Sequence, residues 1–292
     1  MAKIHIQFTL FSAFYSPLIS TMTGGFLKEE GFDVDWSVAK PGVSALKALE
    51  DGTAQVVQST ISQGFSSLEK GIQPSPRHFA LINNMDGFFI TGRDAEPDFQ
   101  WSSLEGADVL VHHGGQPMTM FKFACHKAGI DLSKINIIDA GNAKEMDAAY
   151  RQGKGQYIHQ QGPAPQQLEA DGVGHVVAAL GPMVGACAFS SLAAMPDWLA
   201  SDEGQAFCRA YARARHYMAI TPASEIAAAE KPVFSQIDET VLAECINAYQ
   251  AMGCWPEDMA ITDEGYNAML DIFEFDGKIT QRHPYSSICL GI

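Results

Sequence analysis

Residues 109–121 read VLVHHGGQPMTMF, and this stretch indicates the fold class of the chain. A short apolar, largely β-branched run ends in two histidines and two glycines, and a helical pattern begins at once. Pro117 suits the first turn of a helix, where its missing N–H group costs no hydrogen bond. Apolar residues then recur at helical spacing as far as Gly129, which predicts a helix over 117–129. A strand that feeds a helix in this way is typical of an α/β sheet.

The Gly114-Gly115 turn is also a candidate ligand site. Paired glycines let the backbone approach a ligand closely, and the start of the helix offers free N–H groups at the positive end of its dipole. Such a place suits a carboxylate, a sulfonate or another electron-rich group. The alternative is an ordinary turn that binds nothing. Neither a dinucleotide nor a nucleoside triphosphate is indicated, because the turn is not GxGxxG and the chain has no GxxxxGK[ST].

Composition limits the class of protein. The chain has 292 residues, of which 47% are hydrophobic and 18% are charged, enough for one large or two small domains. Its net charge of −15 argues against nucleic acid and anionic lipid as partners. The apolar runs are too short to cross a bilayer, so we expect no membrane insertion.

The six cysteines are scattered, and we expect small buried thiols with no metal and no cofactor.

Strands and helices alternate along the first 190 residues, and the last third is helical. Alternation of this length predicts mainly parallel sheets flanked by helices. A charged, proline-bearing stretch at 92–100 and a glycine-bearing stretch at 181–190 predict two crossings between domains. We therefore expect domain I to comprise 1–92 plus 190–292, with the C-terminal helices, and domain II to comprise 93–189.

The loops that follow the predicted strands should gather around one cleft, because ligands of such sheets bind beyond the carboxyl ends of the strands. The candidate ligand-binding residues are Phe11, Phe14, Tyr15, Ser59, Thr60, Asn84, Met85, Asp86, His113, Gly114, Gly115, Gln116, Met118, His159, Gln160 and Met183. For the aromatic members, above all Phe14, the alternative is a place in the domain core.

Aromatic and thioether side chains with a few amides and hydroxyls suit an aromatic or heteroaromatic ligand. The loops assigned to the mouth hold no Arg or Lys, whereas a strongly charged sulfonate or phosphate usually draws an arginine. We therefore expect a neutral or weakly anionic ring. His112, His113 and His159 could bind its polar groups or move a proton near neutral pH, and ordinary packing is the alternative for each. No serine triad or carboxylate pair is present, so no catalytic residue is assigned.

Several further stretches resemble one known group of proteins. They are FLKEEGFDV at 26–34, GVSALKAL at 42–49 with Gly52, the segment 115–131, WP at 255–256, TDEGY at 262–266 and GKI at 277–279. In order and spacing they resemble the type II periplasmic-binding-protein group that contains the NMT1/THI5-like proteins and the nitrate, sulfonate and taurine solute-binding proteins. The resemblance covers nearly all of the chain and implies a two-domain α/β fold with the ligand cleft between the domains.

The resemblance implies a solute-binding protein of an ABC-type uptake system, with a permease as partner and a small pyrimidine-like or weakly anionic organic molecule as ligand. The alternative is a cytosolic NMT1/THI5-like enzyme or ligand sensor acting on a small aromatic or pyrimidine precursor, because a fold does not determine function. As it stands the sequence shows no export signal and predicts a cytoplasmic chain, or a periplasmic one if a signal has been removed. We expect a monomer or a homodimer.

Overall fold

A computed structural model describes residues 1–40, 42–113 and 115–291 of the chain. Gly114, one half of the glycine turn, lies outside the described residues. In the part that is described, no helix is both long enough and apolar enough to cross a membrane. The architecture is two mixed β-sheets, each flanked by helices, which confirms the predicted two-domain α/β fold.

The described residues contain ten strands. In chain order, β1 to β10 are Ala2–Phe8, Phe32–Val38, Val56–Ser59, Arg77–Asn83, Phe88–Gly92, Asp108–Leu110, Asn136–Ile138, Tyr157–Gln161, His175–Ala179 and Ser190–Ala194. The alternation of buried and exposed residues explains why the first segment forms a strand. Ile4, Ile6 and Phe8 point into the core, and the residues between them are at least partly exposed, as the period of two in a strand requires.

The same described ranges contain thirteen α-helices. In chain order, α1 to α13 are Ser16–Thr23, Phe26–Glu29, Leu46–Glu50, Ile61–Leu68, Gly115–Lys127, Ala143–Arg151, Ala164–Ala170, Leu180–Val184, Pro196–Leu199, Asp202–Ile220, Ala223–Glu230, Glu239–Met252 and Asp263–Phe275. Short 3₁₀ turns lie at Ala13–Tyr15, Trp101–Leu104, Leu132–Lys134 and Tyr285–Ser287. The predicted helix after the glycine turn is α5, and Gly129 follows its end with a φ of +73°.

The first sheet combines β1 to β4 with the later strand β10, whereas the second sheet is built from the consecutive strands β5 to β9. The first sheet has the order β2-β1-β3-β10-β4, and the second has the order β7-β6-β8-β5-β9. Both sheets are mainly parallel, but β10 runs antiparallel to its two neighbours in the first sheet, as does β5 in the second. The amino end of β10 therefore lies beside the carboxyl ends of its neighbours, at the edge of the sheet where the cleft is predicted.

The first crossing between the sheets lies earlier than the sequence predicts. The strand Phe88–Gly92 pairs with β8 and β9 of the second sheet, so the chain crosses at 84–87 and not at 92–100. An apolar extended segment does not reveal which sheet it joins, and the sequence alone could not place this strand. Gly87 is required in the crossing, because a Cβ there would come within 2.3 Å of the Phe14 ring. The second crossing runs from the end of α8 to Ser190. The remaining domain bounds stay predictions.

The C-terminal helices cover the first sheet. On α10, the Tyr211 hydroxyl donates to the Leu81 carbonyl at 2.8 Å, and the buried Arg215 guanidinium donates to the Ile82 carbonyl at 2.6 Å. These hydrogen bonds join α10 directly to backbone carbonyls of β4. All six cysteines are buried and unbridged, and they pack as small apolar side chains.

Candidate functional site

A cleft lies where strand ends from the two sheets face each other. Leu10 follows β1 and Thr60 follows β3 in the first sheet, whereas His112 follows β6 and Gln161 ends β8 in the second. These residues border a cavity of about 980 Å³, at the upper end of the size of small-molecule sites. A second cavity of about 320 Å³ shares Leu10, His112 and Gln161 as walls. We call the two cavities the larger and the smaller chamber.

Nine of the predicted ligand-binding residues border these chambers. The larger chamber is bordered by Tyr15, Ser59, Thr60, His113, Gly115 and Gln116, and the smaller chamber by Phe11, His159 and Gln160. Gly115 has a φ of +60°, the left-handed conformation that favours glycine. Its neighbour Gly114 is outside the described residues.

Six predicted residues border neither chamber, namely Phe14, Asn84, Met85, Asp86, Met118 and Met183. Phe14 is fully buried, with its ring centroid 4.9 Å from that of Tyr249. Asn84 borders a separate cavity, and Asp86 is buried in the first crossing, where one carboxylate oxygen accepts from the Phe88 N–H at 2.6 Å. The three methionines are partly buried and pack against the core. These residues follow strand ends, but apart from Asn84 their side chains enter the crossing or the core.

Other residues that border the larger chamber are missing from the predicted set. They include Gln58, Asn142, Lys144, Gln161, Phe189 and Ser190. Gln161 directly follows the predicted Gln160 at the end of β8 and could have been found from the same strand. Ser190 could not, because it begins β10, and only the antiparallel direction of that strand brings an amino end to the cleft.

Cations lie closer to the cleft than the sequence predicts. The exposed side chains of Lys40 and Lys144 border the larger chamber, and Arg151 borders the smaller one. Arg151 forms ion pairs with Asp147 at 2.6 Å and with Asp171 at 2.7 Å. The two lysines therefore supply positive charge at the rim, whereas the cation of the smaller chamber is neutralised by two carboxylates.

Buried polar side-chain atoms without a hydrogen-bond partner are concentrated around the cleft. Among the described residues that border it, they are Ser59 Oγ, His112 Nδ1, both ring nitrogens of His159, Gln160 Oε1, both amide atoms of Gln161 and Ser190 Oγ. A buried donor or acceptor that stays unpaired costs about 1–3 kcal/mol of stability. Such a cluster is expected where a ligand completes the hydrogen bonds.

The buried histidine of the cleft is uncharged near neutral pH. Burial, with a smaller contribution from His112, lowers the pKa of His159 to about 3. Its ring stacks on Phe88 with centroids 4.5 Å apart and lies 5.4 Å from the ring of Phe121. Burial, followed by the neighbouring His113, also lowers the pKa of His112. A neutral imidazole offers one donor and one acceptor, so His159 suits a ligand that supplies both.

The two sides of the cleft are already joined by direct hydrogen bonds. Ser12 Oγ, after β1, donates to the Gly162 carbonyl after β8 at 2.6 Å. The Tyr249 hydroxyl on α12 accepts from the Gly162 N–H at 2.8 Å and donates to the Gly87 carbonyl at 3.0 Å. The loop after β8 is thus held against the first domain beside the smaller chamber.

Comparison with known proteins identifies related chains. A model of the family described as NMT1/THI5 like matches residues 14–225. A protein of Bacillus subtilis named putative binding protein YtlA is 25% identical over 292 residues, covering 99% of this chain and 87% of that protein.

Solved structures share the fold. The alkanesulfonate-binding protein SsuA of Xanthomonas axonopodis pv. citri, solved with bound MOPS, has a TM-score of 0.76 at 13% identity, covering 100% of this chain and 99% of that one. The ligand-binding component of an ABC-type import system from Staphylococcus aureus, solved with zinc, has a TM-score of 0.78 at 15% identity, with 100% and 97% covered.

Proposed function

Because the chain belongs to the NMT1/THI5-like family, we propose that it is the solute-binding protein of an ABC-type uptake system. The name of the B. subtilis relative and the titles of the two solved structures support a binding role. In such a system two domains close over a solute, and the closed form is delivered to a permease. Delivery to a permease places the chain on the outer side of the cytoplasmic membrane, the periplasm in a Gram-negative cell.

One observation carries this proposal: both sides of the cleft present buried, unpartnered polar atoms to the same larger chamber. Ser59 and Ser190 belong to the first sheet, whereas Gln161 belongs to the second and His112 follows one of its strands. A solute that pairs with both sets relieves their desolvation cost only when the domains are together. Binding therefore favours the closed form, which is the signal that a permease needs.

The proposed solute is a small aromatic or heteroaromatic molecule, pyrimidine-like in size, that is neutral or weakly anionic. Rings of Tyr15, Phe88, Phe189 and Phe273 border the larger chamber and suit a flat ligand. We further propose that N–H groups at the start of α5, beginning at Gly115, hold its most electron-rich group. The rim lysines are compatible with a weak negative charge.

The rival function is a cytosolic enzyme or sensor on the same fold. An enzyme of this kind would need a general base poised near neutral pH. Burial holds the pKa of His159 at about 3 and also lowers that of His112, so neither imidazole is tuned to accept a proton there. The lowered pKa values of these two imidazoles favour binding over proton transfer by His112 or His159.

The test begins with identification of the solute. Native mass spectrometry of gently purified protein reports a retained molecule, and that molecule is then titrated back into stripped protein while solution scattering measures compaction. Ser190→Ala removes one unpartnered hydroxyl from the larger chamber, and we expect affinity to fall roughly fivefold, for one lost hydrogen bond. Ser75→Ala, in an exposed loop outside the cleft, is the matched control.

Two results contradict the proposal. One is a bound molecule that the stripped protein converts into a product. The other is binding without compaction and with equal affinity in the Ser190 and Ser75 variants, which would place the solute outside the cleft.

A further inference from the structure

We infer that Glu230 is a positioning residue of the cleft and acts in its uncharged form, by holding the 3₁₀ turn Ala13–Tyr15 through the hydroxyl of Ser16. Tyr15, the last residue of this turn, borders the larger chamber. The inference rests on the proposed function, because the position of Tyr15 matters only if this chamber binds a solute. Ionisation of Glu230 at alkaline pH should then loosen the turn and the cleft together.

Glu230 ends α11, and its side chain is fully buried. Its Oε1 atom lies 2.7 Å from the Ser20 hydroxyl, and its Oε2 atom lies 2.8 Å from the Ser16 hydroxyl, both on α1. The Ser16 hydroxyl oxygen also lies 2.8 Å from the Ala13 carbonyl oxygen. Each of these contacts has the length of an O–H···O hydrogen bond.

The Ser16 hydroxyl has a single hydrogen for its two contacts. The Ala13 carbonyl only accepts, so the hydroxyl donates to it. The contact between Ser16 and Glu230 then requires a hydrogen from the carboxyl group, because two oxygens at this distance repel each other without one between them. A protonated carboxyl supplies that hydrogen from Oε2 while its Oε1 accepts from Ser20. The uncharged carboxyl group completes all of these hydrogen bonds, and a carboxylate does not.

The surroundings of the carboxyl group supply no positive charge. Besides the hydroxyls of α1, the titratable groups that face it are the Tyr217 phenol on α10 and the Cys245 thiol on α12. Among the described residues, no Lys, Arg or His side chain forms an ion pair with Glu230. Burial raises the pKa of Glu230 to about 8, against a smaller lowering by the hydroxyls of Ser20 and Ser16. The group is therefore uncharged at neutral pH.

The turn Ala13–Tyr15 is tied to both domains. The Ser12 hydroxyl accepts from the Phe14 N–H at 3.1 Å and donates to the Gly162 carbonyl of the second domain at 2.6 Å. The Phe14 carbonyl accepts from the Trp255 indole N–H at 3.0 Å. A displacement of the turn is therefore expected to change the Trp255 hydrogen bond and the contact between the domains.

Ionisation of Glu230 would disturb this arrangement. A carboxylate only accepts, so it would draw the Ser16 hydrogen away from the Ala13 carbonyl, which would keep only the bond from the Ser16 backbone N–H. The negative charge would also be buried without a counter-ion. We therefore expect Tyr15 and the Ser12 contact to become less well held as the pH rises past about 8.

The Trp255 indole N–H reports on the turn without a ligand. In ¹⁵N-labelled protein, Trp255→Phe assigns its indole signal among those of the four tryptophans. We expect this signal to shift between pH 6.5 and 9.5 with a midpoint near pH 8. Glu230→Gln keeps a donor for Ser16 and an acceptor for Ser20, and it should abolish the step. Glu225→Gln, exposed on the same helix, is the matched control and should retain it.

Two further measurements test the protonation state and the cleft. The infrared spectrum at pH 6.5 should contain the stretch of one protonated carboxyl group that Glu230→Gln lacks. Solution scattering should give the wild type a larger radius of gyration at pH 9.5 than at pH 6.5, and Glu230→Gln an unchanged one. Asp86, whose pKa burial raises to about 7, adds a step to both proteins and cancels in the comparison.

The inference is overturned if the Trp255 signal of the wild type shows no step near pH 8, or if the signal or the radius responds to pH equally in Glu230→Gln. Identical infrared spectra of the two proteins in the protonated-carboxyl region also overturn it. None of these measurements uses a solute, so such a failure leaves the proposed binding function standing. Absence of any solute-driven compaction counts against that function, whatever the pH response of the turn.

Discussion

The side-chain amide of Gln116 donates to the main-chain carbonyl of Phe189 at 2.8 Å, which ties the first turn of α5 in the second domain to the segment that enters β10 of the first sheet. The carbonyl oxygen of the same side chain accepts from Thr60 at 2.5 Å and from Ser62 at 2.9 Å, at the start of α4. One buried glutamine thus joins both halves of the cleft through three hydrogen bonds.

We predict that Gln116→Ala shifts the unliganded protein toward an open form. Each of the three hydrogen bonds contributes about 1 kcal/mol, and with them lost the closed form becomes harder to populate. Solution scattering without ligand should show a larger radius of gyration, and ligand affinity should fall by roughly tenfold or more because binding must then supply the closure energy.

Gln100→Ala is the control for this prediction, because Gln100 is exposed and its side-chain amide donates to the nearby Asp98 carbonyl. A Gln116 variant with unchanged radius and unchanged affinity would show that this side chain does not control closure.

The fold could be predicted from the sequence to the level of two mainly parallel sheets, because strand and helix periodicity is local. What escaped prediction was the sheet to which Phe88–Gly92 belongs. Its five residues are all buried, and a continuous apolar strand looks the same in either sheet. The crossing at 84–87 depends on the fit of Gly87 against Phe14, a contact between residues far apart in the chain.

The candidate site was predictable where it obeys the strand-end rule. Ser59 ends a parallel strand, Thr60, His113 and Gln116 follow parallel strands, and all four border the larger chamber. Ser190 escaped because antiparallel β10 brings its amino end there. The sequence predicts Phe14 at the cleft because it follows β1, but whether an aromatic ring faces a cleft or the core depends on its neighbours in space, here Tyr249 and Phe189.

The sequence predicts that His113 or His159 contributes more to affinity than to folding, and the structure makes this prediction specific for each residue. His113 is about one-third exposed, so His113→Ala should leave the melting temperature of the free protein nearly unchanged and weaken ligand binding by about 1 kcal/mol. Thermal unfolding and calorimetric titration measure the two effects. Normal binding by a folded His113→Ala protein would exclude a role for that side chain in binding.

His159→Ala should behave differently. The ring is fully buried between Phe88 and Phe121, so its removal leaves a cavity and should cost about 2–4 kcal/mol of stability. His159→Phe, which preserves the packing, separates the loss of ring nitrogens from the loss of volume. A melting temperature for His159→Ala equal to that of the wild type would show that the ring does not support the fold.

Asp86 predicts a pH dependence of stability. Burial raises the pKa of this carboxyl from 3.8 to about 7, against a smaller lowering by the Phe88 N–H. A carboxyl whose pKa is higher in the folded state makes the protein lose stability as the pH rises from about 4 to about 7. Asp86→Asn keeps an acceptor for Phe88 and removes the charge. We expect the variant to exceed the wild type in unfolding free energy at pH 8 by about 4 kcal/mol at most, and to match it near pH 4.

Urea unfolding at pH 4.5, 6 and 8 measures this difference. Glu230, whose pKa burial raises to about 8, adds a slope of the same sign to both proteins and cancels in the comparison. Asp98→Asn, at an exposed position, is the control and should show no gap that grows with pH. A constant gap for Asp86→Asn across this range would mean that Asp86 does not carry the pH dependence.

The glycine turn at the start of α5 can be tested by a substitution at Gly115. A Cβ at Gly115 has open space, with Pro117 Cδ the nearest atom at 4.0 Å, so a substitution there does not clash with the protein itself. A substitution at Gly115 has two effects. A β-branched residue tolerates the φ of +60° poorly, and its side chain shields the N–H groups that border the larger chamber. Gly115→Val should therefore retain the fold while losing both ligand binding and ligand-driven compaction in solution scattering.

Backbone strain alone must be separated from loss of the site. Gly172 has a φ of +66° with open space around its Cβ position and borders neither chamber, so Gly172→Val imposes comparable strain away from the cleft. Both variants should lose about 1–2 kcal/mol of stability, whereas only Gly115→Val should lose the ligand. Unchanged affinity in a folded Gly115→Val protein would mean that the solute is held elsewhere in the cleft, and that this turn serves only to lead the chain from β6 into α5.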